Sequence, residues 1–116
     1  MIKIKRIYER AGEEDGMRVL VDRLWPRGVS KKSAGIDEWM KEIAPSGRLR
    51  KWFAHDPRKW ERFKDKYRNE LKGKEYLIDE LRALSKRRTL TLVYSAKDES
   101  HNQAVALKEI LENPET

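Results

Sequence analysis

The sequence predicts an α/β domain: a small, mostly parallel three-strand sheet packed with about five helices. Three observations carry this reading. Two aliphatic runs lie near the start of the chain and a third lies near its end. A long stretch of helix-periodic sequence separates the second run from the third, and a connection that long favours parallel pairing. No internal repeat or linker interrupts the 116 residues, so residues 1–116 form one domain.

Each element follows from its residues. Ile2 and Ile4 alternate with Lys3 and Lys5, and Ile7 and Tyr8 follow, which predicts the first strand. Ala11 to Gly16 is small or acidic and closes on Asp15-Gly16, a turn signal. Met17 to Asp22 contains the continuous run Val19-Leu20-Val21, suited to a strand covered on both faces, and Pro26 and Gly28 end it. Ile36, Trp39, Met40 and Ile43 then recur at helical spacing behind Ser33 as cap, with Asp37 and Glu38 in the early turns and Pro45 as stop. Ser46 caps a second, short helix carrying Leu49, Trp52 and Phe53. Asp56-Pro57 opens a third helix, with Trp60, Phe63, Tyr67 and Leu71 on one face and Gly73 at its end. Leu77, Ile78, Leu81 and Leu84 mark a fourth. Thr89 to Tyr94 is the clearest strand by its β-branched content. Ser100 to Glu112 is the fifth helix: Ser100 and Gln103 are spaced as a capping box, Ala104, Leu107, Ile110 and Leu111 form its apolar face, and Asn113-Pro114 ends it.

Composition narrows the chemistry. Four tryptophans, four tyrosines and two phenylalanines let a polar chain bury enough area for a core. There is no cysteine, which excludes disulfides, thiolate catalysis and cysteine-ligated metals. His55 and His101 are the only histidines, too few for a multi-histidine site, so neither a metal nor a cofactor is expected. The first residues alternate instead of forming the apolar run of a secretion signal, and no apolar stretch approaches the ~20 residues of a membrane span. A cytoplasmic address and no membrane partner are the expectation. Lys and Arg total 27 against 20 Asp and Glu, a formal net charge of +7, which favours anionic partners. Both signs are interspersed over the 41% of residues that are charged, as on an ordinary solvated helix surface.

In open α/β sheets ligands bind beyond the carboxyl ends of the strands. Two segments fall there: Asp22 to Gly28 after the second strand, and Ser95 to Asn102 between the third strand and the last helix. If the two strands are parallel neighbours, these segments meet. Arg23, Arg27 and Lys97 supply ionic donors, and the arginine fork suits phosphate. The last helix's N-terminus, with Ser100 and Asn102, offers backbone N–H groups as an anion cradle. His101, expected in the first turn, is the candidate proton-transfer group, with Asp22 or Asp98 to orient it. The plainer alternative makes Ser100, His101 and Asn102 cap residues, Asp22-Arg23 an internal ion pair, and Arg27 a turn residue. Trp52 to Trp60 reads first as a helix corner in which Asp56 caps and His55 bonds a neighbouring carbonyl. A second reading turns His55 into the same cleft as His101. No Gly-rich phosphate loop, nucleophile elbow or zinc-helix motif is present.

The run Val19-Leu20-Val21-Asp22-Arg23-Leu24-Trp25-Pro26-Arg27-Gly28 resembles the signature of the YeaO-like proteins, a domain-of-unknown-function family of bacteria and archaea. Ile36-Asp37-Glu38-Trp39, Ala44-Pro45-Ser46, Leu49 to Pro57, Trp60, and Val93 to Asp98 followed by His101-Asn102 resemble its later landmarks, in order over nearly the whole chain. The resemblance implies an α/β fold and recurring polar positions at Asp22, Arg23, Arg27, His55, Asp56, Asp98, His101 and Asn102. The wider superfamily often carries cysteines near the last strand and beside the histidine. Here those places read Tyr94-Ser95-Ala96 and Ser100-His101-Asn102, so no thiol or metal role carries over.

Three function classes follow. The first is a pocket for a small anionic, phosphate-containing ligand, with or without His101 acid–base chemistry. The second is a nucleic-acid module using the basic helical face 48–68, where Arg48, Arg50, Lys51, Arg58, Lys59, Arg62, Lys64, Lys66 and Arg68 crowd together among acidic residues. The third is a protein-interaction domain, which predicts an exposed apolar patch that includes Trp25 or Trp39.

Overall fold

The computed structural model describes residues 1–113. Strands β1 (Ile2–Arg6), β2 (Met17–Leu20), β3 (Glu38–Trp39) and β4 (Leu90–Tyr94) form one sheet in the order β1-β4-β2-β3. Every neighbouring pair is parallel, with Ile2 opposite Leu90, Met17 opposite Leu90 and Val19 opposite Glu38. The helices are α1 (Gly47–Phe53), α2 (Trp60–Glu70), α3 (Glu75–Arg87) and α4 (Gln103–Glu112), with 3-10 turns at Glu13–Asp15, Lys41–Ile43 and Pro57–Lys59. The sheet is thus wholly parallel and has four strands where three were expected, and four α-helices stand where five were. The expected stop of the last helix at Pro114 lies outside the described residues.

The extra strand and the missing helix are one correction. Residues 33–43 have helical spacing, but Gly35 takes φ 65°, outside the right-handed helical region, and turns the chain toward the open edge of β2. There Asp37 N–H donates to Arg18 O and Met40 N–H to Leu20 O, both at 2.9 Å, and Glu38–Trp39 adds a short edge strand. The four apolar residues then divide between the two faces of the sheet. Met40 and Ile43 join the helix side, while Ile36 and Trp39 join the opposite side. Pairing an exposed strand edge outweighs an amphipathic pattern only eight residues long.

Alternation along the strands sorts the core. Val19, Val21, Leu90, Leu92 and Tyr94 point at the helices and pack with Phe63, Tyr67, Leu81 and Leu107. Leu20 and Val93 point the other way, under the loop that carries Trp25, Val29 and Ala34. A fully buried aliphatic side chain of this kind contributes about 1.5–3 kcal/mol. The loop-covered face also holds a buried ion pair: Arg18 Nη1 meets Asp15 Oδ2 at 2.6 Å, and Arg18 donates further to Gly35 O and Ala34 O. Lys5 Nζ and the Gly12 N–H complete the carboxylate's partners.

Candidate functional site

Parallel pairing of β2 with β4 sets Leu20 opposite Val93, so the chain leaves both strands at the same sheet edge. The pairing continues one residue further, with Val21 N–H donating to Val93 O at 3.0 Å. The loop after β4 is held by Arg6, which donates to Ala96 O at 2.9 Å and to Ser95 O at 3.3 Å. The loop after β2 is held by the Trp39 indole N–H on Asp22 O at 2.7 Å. The side chain of Asp22 bridges the two loops: Ser95 Oγ donates to one carboxylate oxygen, and Gln103 Nε2 donates to the other at 2.5 Å. Burial pushes the Asp22 carboxyl above the usual carboxylate range, against the pull of those two bonds and of the Arg50 charge.

Beyond this bridge lie two adjoining hollows. The larger, about 690 Å³, is lined by Arg23, Arg27, Arg50 and Lys97 together with Asp22 and Asp98. The smaller, about 270 Å³, is lined by Phe53, Phe63, Lys51 and His101. Pro45, Arg50, His55, Ala96 and Gln103 belong to both and form the wall between them. Five side-chain cations (Arg23, Arg27, Arg50, Lys51, Lys97) therefore face two carboxylates. Both carboxylates are already engaged, Asp22 as above and Asp98 by His101. Arg23 is partly spent on structure, since it donates to Pro45 O at 2.9 Å and Ala44 O at 3.3 Å and so tethers the entry to α1. The guanidinium groups of Arg27 and Arg50 and the ammonium of Lys97 make no hydrogen bond or ion pair with the described residues.

The histidines sit at the smaller hollow. His101 Nδ1 is 2.9 Å from Asp98 Oδ2, and its ring packs edge-on against Trp60 at 5.3 Å. The Ser100 N–H bond holds the Asp98 carboxyl below its usual range, opposed by burial and aided by the His101 ring and backbone. Asp98 thus orients the imidazole, and Nε2 has no partner among the described residues. Ala54 and His55 both adopt positive φ, 47° and 55°, a left-handed pair at the exit of α1, and His55 lines both hollows.

Several expected placements change. Asp22 does not touch His101, because Ser95 and Gln103 hold its carboxylate, so Asp98 is the orienting partner. His101 precedes α4 and does not lie in its first turn. The cap is Asn102, not Ser100: its Oδ1 accepts from Ala104 N–H at 2.9 Å and Val105 N–H at 3.1 Å. The Ser100 and His101 N–H groups both donate to Asp98 Oδ1. The anion cradle foreseen at this helix end is therefore filled by the protein's own side chains. Ser100 and Asp56 line neither hollow, and Asp56 caps the 3-10 turn and pairs with Arg58. His55 bonds no carbonyl among the described residues and lines the same hollow as His101.

Arg50, Lys51 and Gln103 are pocket residues that the sequence does not single out, and Ser95 is foreseen there only as part of the segment after the last strand. Arg50 and Lys51 read as helical surface, and Gln103 as the partner of a Ser100 cap. A side chain's reach across 81 residues to Asp22 has no local signal in sequence. On the basic face, Arg58, Lys64 and Arg68 are tied to Asp56, to Glu61 and Glu109, and to Asp65. Lys59, Arg62 and Lys66 stand over the Trp52 ring at 5.1, 5.8 and 5.0 Å. Trp25 and Trp39 are half-buried against each other and the second core, whereas Leu24 is 64% exposed. No helix among the described residues is long and apolar enough to cross a membrane.

Fold and site together define a parallel α/β protein with a cationic hollow at its strand ends. The sequence model of DUF488-N3i, described as the inactive DUF488-N3 subclade, matches residues 1–115, and the chain belongs to this family. It is similar to the uncharacterized protein YeaO of Escherichia coli, 44% identical over 110 residues that cover 95% of this chain and 96% of the relative. The uncharacterized proteins Mb3100c of Mycobacterium bovis and Rv3073c of Mycobacterium tuberculosis are each 36% identical over 95% of this chain and 92% of their own length. No solved structure gives a significant match.

Proposed function

We propose that the protein binds a small phosphate-bearing anion in the larger hollow, beyond the carboxyl ends of β2 and β4. One observation carries this reading: Arg27, Arg50 and Lys97 line one hollow with no hydrogen bond or ion pair to the described residues, while the two carboxylates beside them are already hydrogen-bonded within the protein. Arginines supply paired donors to phosphate oxygens, and the lysine adds a point charge. A cleft of about 690 Å³ is of the size that encloses a small organic ligand. The description of the family as an inactive subclade supports binding without turnover. If proton transfer follows binding, His101 Nε2, oriented through Nδ1 by Asp98, is the group that performs it.

Calorimetric titration with inorganic phosphate and pyrophosphate tests the reading. Arg27→Ala and Arg50→Ala, each correctly folded, should weaken binding about tenfold, the loss expected for one charge-assisted contact. Unchanged affinity in both variants would remove the pocket.

The cations gathered on Trp52 favour a second reading, a nucleic-acid surface on α1 and α2. It requires oligonucleotide affinity that falls steeply with salt and survives Arg27→Ala. Absence of binding at low salt would eliminate it.

A further inference from the structure

The smaller hollow is chemically unlike the larger one it adjoins. Phe53, Phe63, Pro45 and Ala96 give it apolar walls, and polar groups stand at its rim. His101 Nδ1 is held by Asp98, and its Nε2 has no partner among the described residues. The Gln103 amide spends its nitrogen on Asp22 and Val21, and its carbonyl oxygen accepts no hydrogen bond among the described residues. The His55 ring is likewise unbonded. A purely aliphatic occupant would cover these groups and take their water without giving them partners, which costs binding energy. A planar ring with donors and acceptors along its edge satisfies both the walls and the rim.

We infer that the two hollows form one bipartite site for a nucleotide, with the phosphate among Arg27, Arg50 and Lys97 and the base in the smaller hollow, against the lining that Phe53, Phe63 and His101 contribute to. This rests on the phosphate reading above and names the ligand class for the same site. The geometry has the right order: Arg50, His55 and Gln103 line both compartments, so a ligand running from one to the other passes a continuous polar wall. The smaller volume, about 270 Å³, accommodates a base-sized group. Lys51 lines the smaller hollow and Arg50 lines both, so positive charge borders each compartment.

Gly47 provides a test that spares the cations. It is the first residue of α1 and lines the smaller hollow, and a Cβ there meets nothing within 4 Å. Gly47→Leu puts an isobutyl group at the lining without a steric clash at its Cβ, and leucine favours the helix over glycine. The wild-type protein is titrated by calorimetry with inorganic phosphate, ribose 5-phosphate, AMP and CMP. At least one nucleotide should bind tenfold or more tighter than ribose 5-phosphate. Gly47→Leu should erase that margin and leave phosphate affinity within twofold. Amide shifts that distinguish the nucleotide from ribose 5-phosphate should fall at Gly47, Phe53 and Ala96, a readout on wild type that does not depend on the variant folding. If phosphate and ribose 5-phosphate bind but neither nucleotide binds tighter, the base compartment is wrong and the anion site stands. A nucleotide margin untouched by Gly47→Leu, with its shifts away from Gly47, Phe53 and Ala96, also overturns the inference. If none of the four binds, both readings fall.

Discussion

Asp22 and Asp15 are both buried carboxyl groups, 8% and 2% exposed, and their environments push them in opposite directions. For Asp22 burial wins over the Ser95 and Gln103 bonds, and its carboxyl is raised. A group raised on folding holds its proton more tightly in the folded state, so ionising it costs stability as pH rises through the carboxylate range. Asp22→Asn removes that cost while keeping an acceptor for Gln103. Its melting temperature should match wild type in acid and exceed it at pH 7. Its affinity for phosphate should rise several-fold, because a like charge leaves the hollow. For Asp15 burial is the largest single influence and raises the carboxyl, but the Gly12 N–H, Lys5 and Arg18 together outweigh it and the carboxyl is lowered. Its stabilisation is present above the unfolded carboxylate range and is lost as pH falls through the lowered folded value. Asp15→Asn leaves Arg18 buried with no counter-charge and should cost about 3–5 kcal/mol in urea unfolding at pH 7. The penalty should shrink in acid, where the wild-type carboxyl is itself neutral. A penalty that does not change with pH would contradict this account.

Among the elements, α1 combines ordinary capping with an unusual exit. Ser46 Oγ accepts from Leu49 N–H at 3.1 Å and donates to Glu70 Oε2 at 2.5 Å, which secures the start of the helix. At the other end Ala54 and His55 take left-handed backbone in succession. Ala54→Gly should stabilise the fold by about 0.5–1 kcal/mol, since glycine adopts this conformation freely, and a loss of stability in thermal melts would refute that. Much of this level was legible in the sequence. The Ser46 cap, the Asp56-Pro57 start, the Leu90–Tyr94 strand and the register that joins the loops after β2 and β4 follow from residue types and chain order. The 33–43 segment was not legible, because a strand edge far away in sequence decided it. Nor was the cap of α4 settled: Ser100 and Asn102 are equally good cap residues, and the turn in which Asp98 accepts from the Ser100 and His101 N–H groups delays the helix start until Asn102. For His55 the sequence left two readings open, because it sits in a left-handed backbone that non-glycine residues rarely adopt and that residue types do not foretell.

For the whole molecule the net charge of +7 is distributed unevenly in its effect. On α2 much of it is cancelled by neighbours three residues away, as in the Lys64–Glu61 and Arg68–Asp65 pairs. At the strand ends five side-chain cations face two carboxylates, and an excess of positive charge remains. Anion binding there should weaken with added salt, but less steeply than a nucleic-acid surface, because fewer counter-ions are released. The apolar exposure foreseen for a protein-interaction face is confined on this side to Leu24 and Tyr8, since both tryptophans turn inward and each indole N–H is bonded to a backbone carbonyl. The most direct test of the cationic hollow is an amide NMR titration of the wild-type protein with pyrophosphate. Saturable shifts confined to residues 22–28, 45–55 and 95–103 are predicted, and they should be lost in Arg27→Ala. Shifts spread along 58–68, or no saturable shift around Arg27 and Arg50, would contradict it.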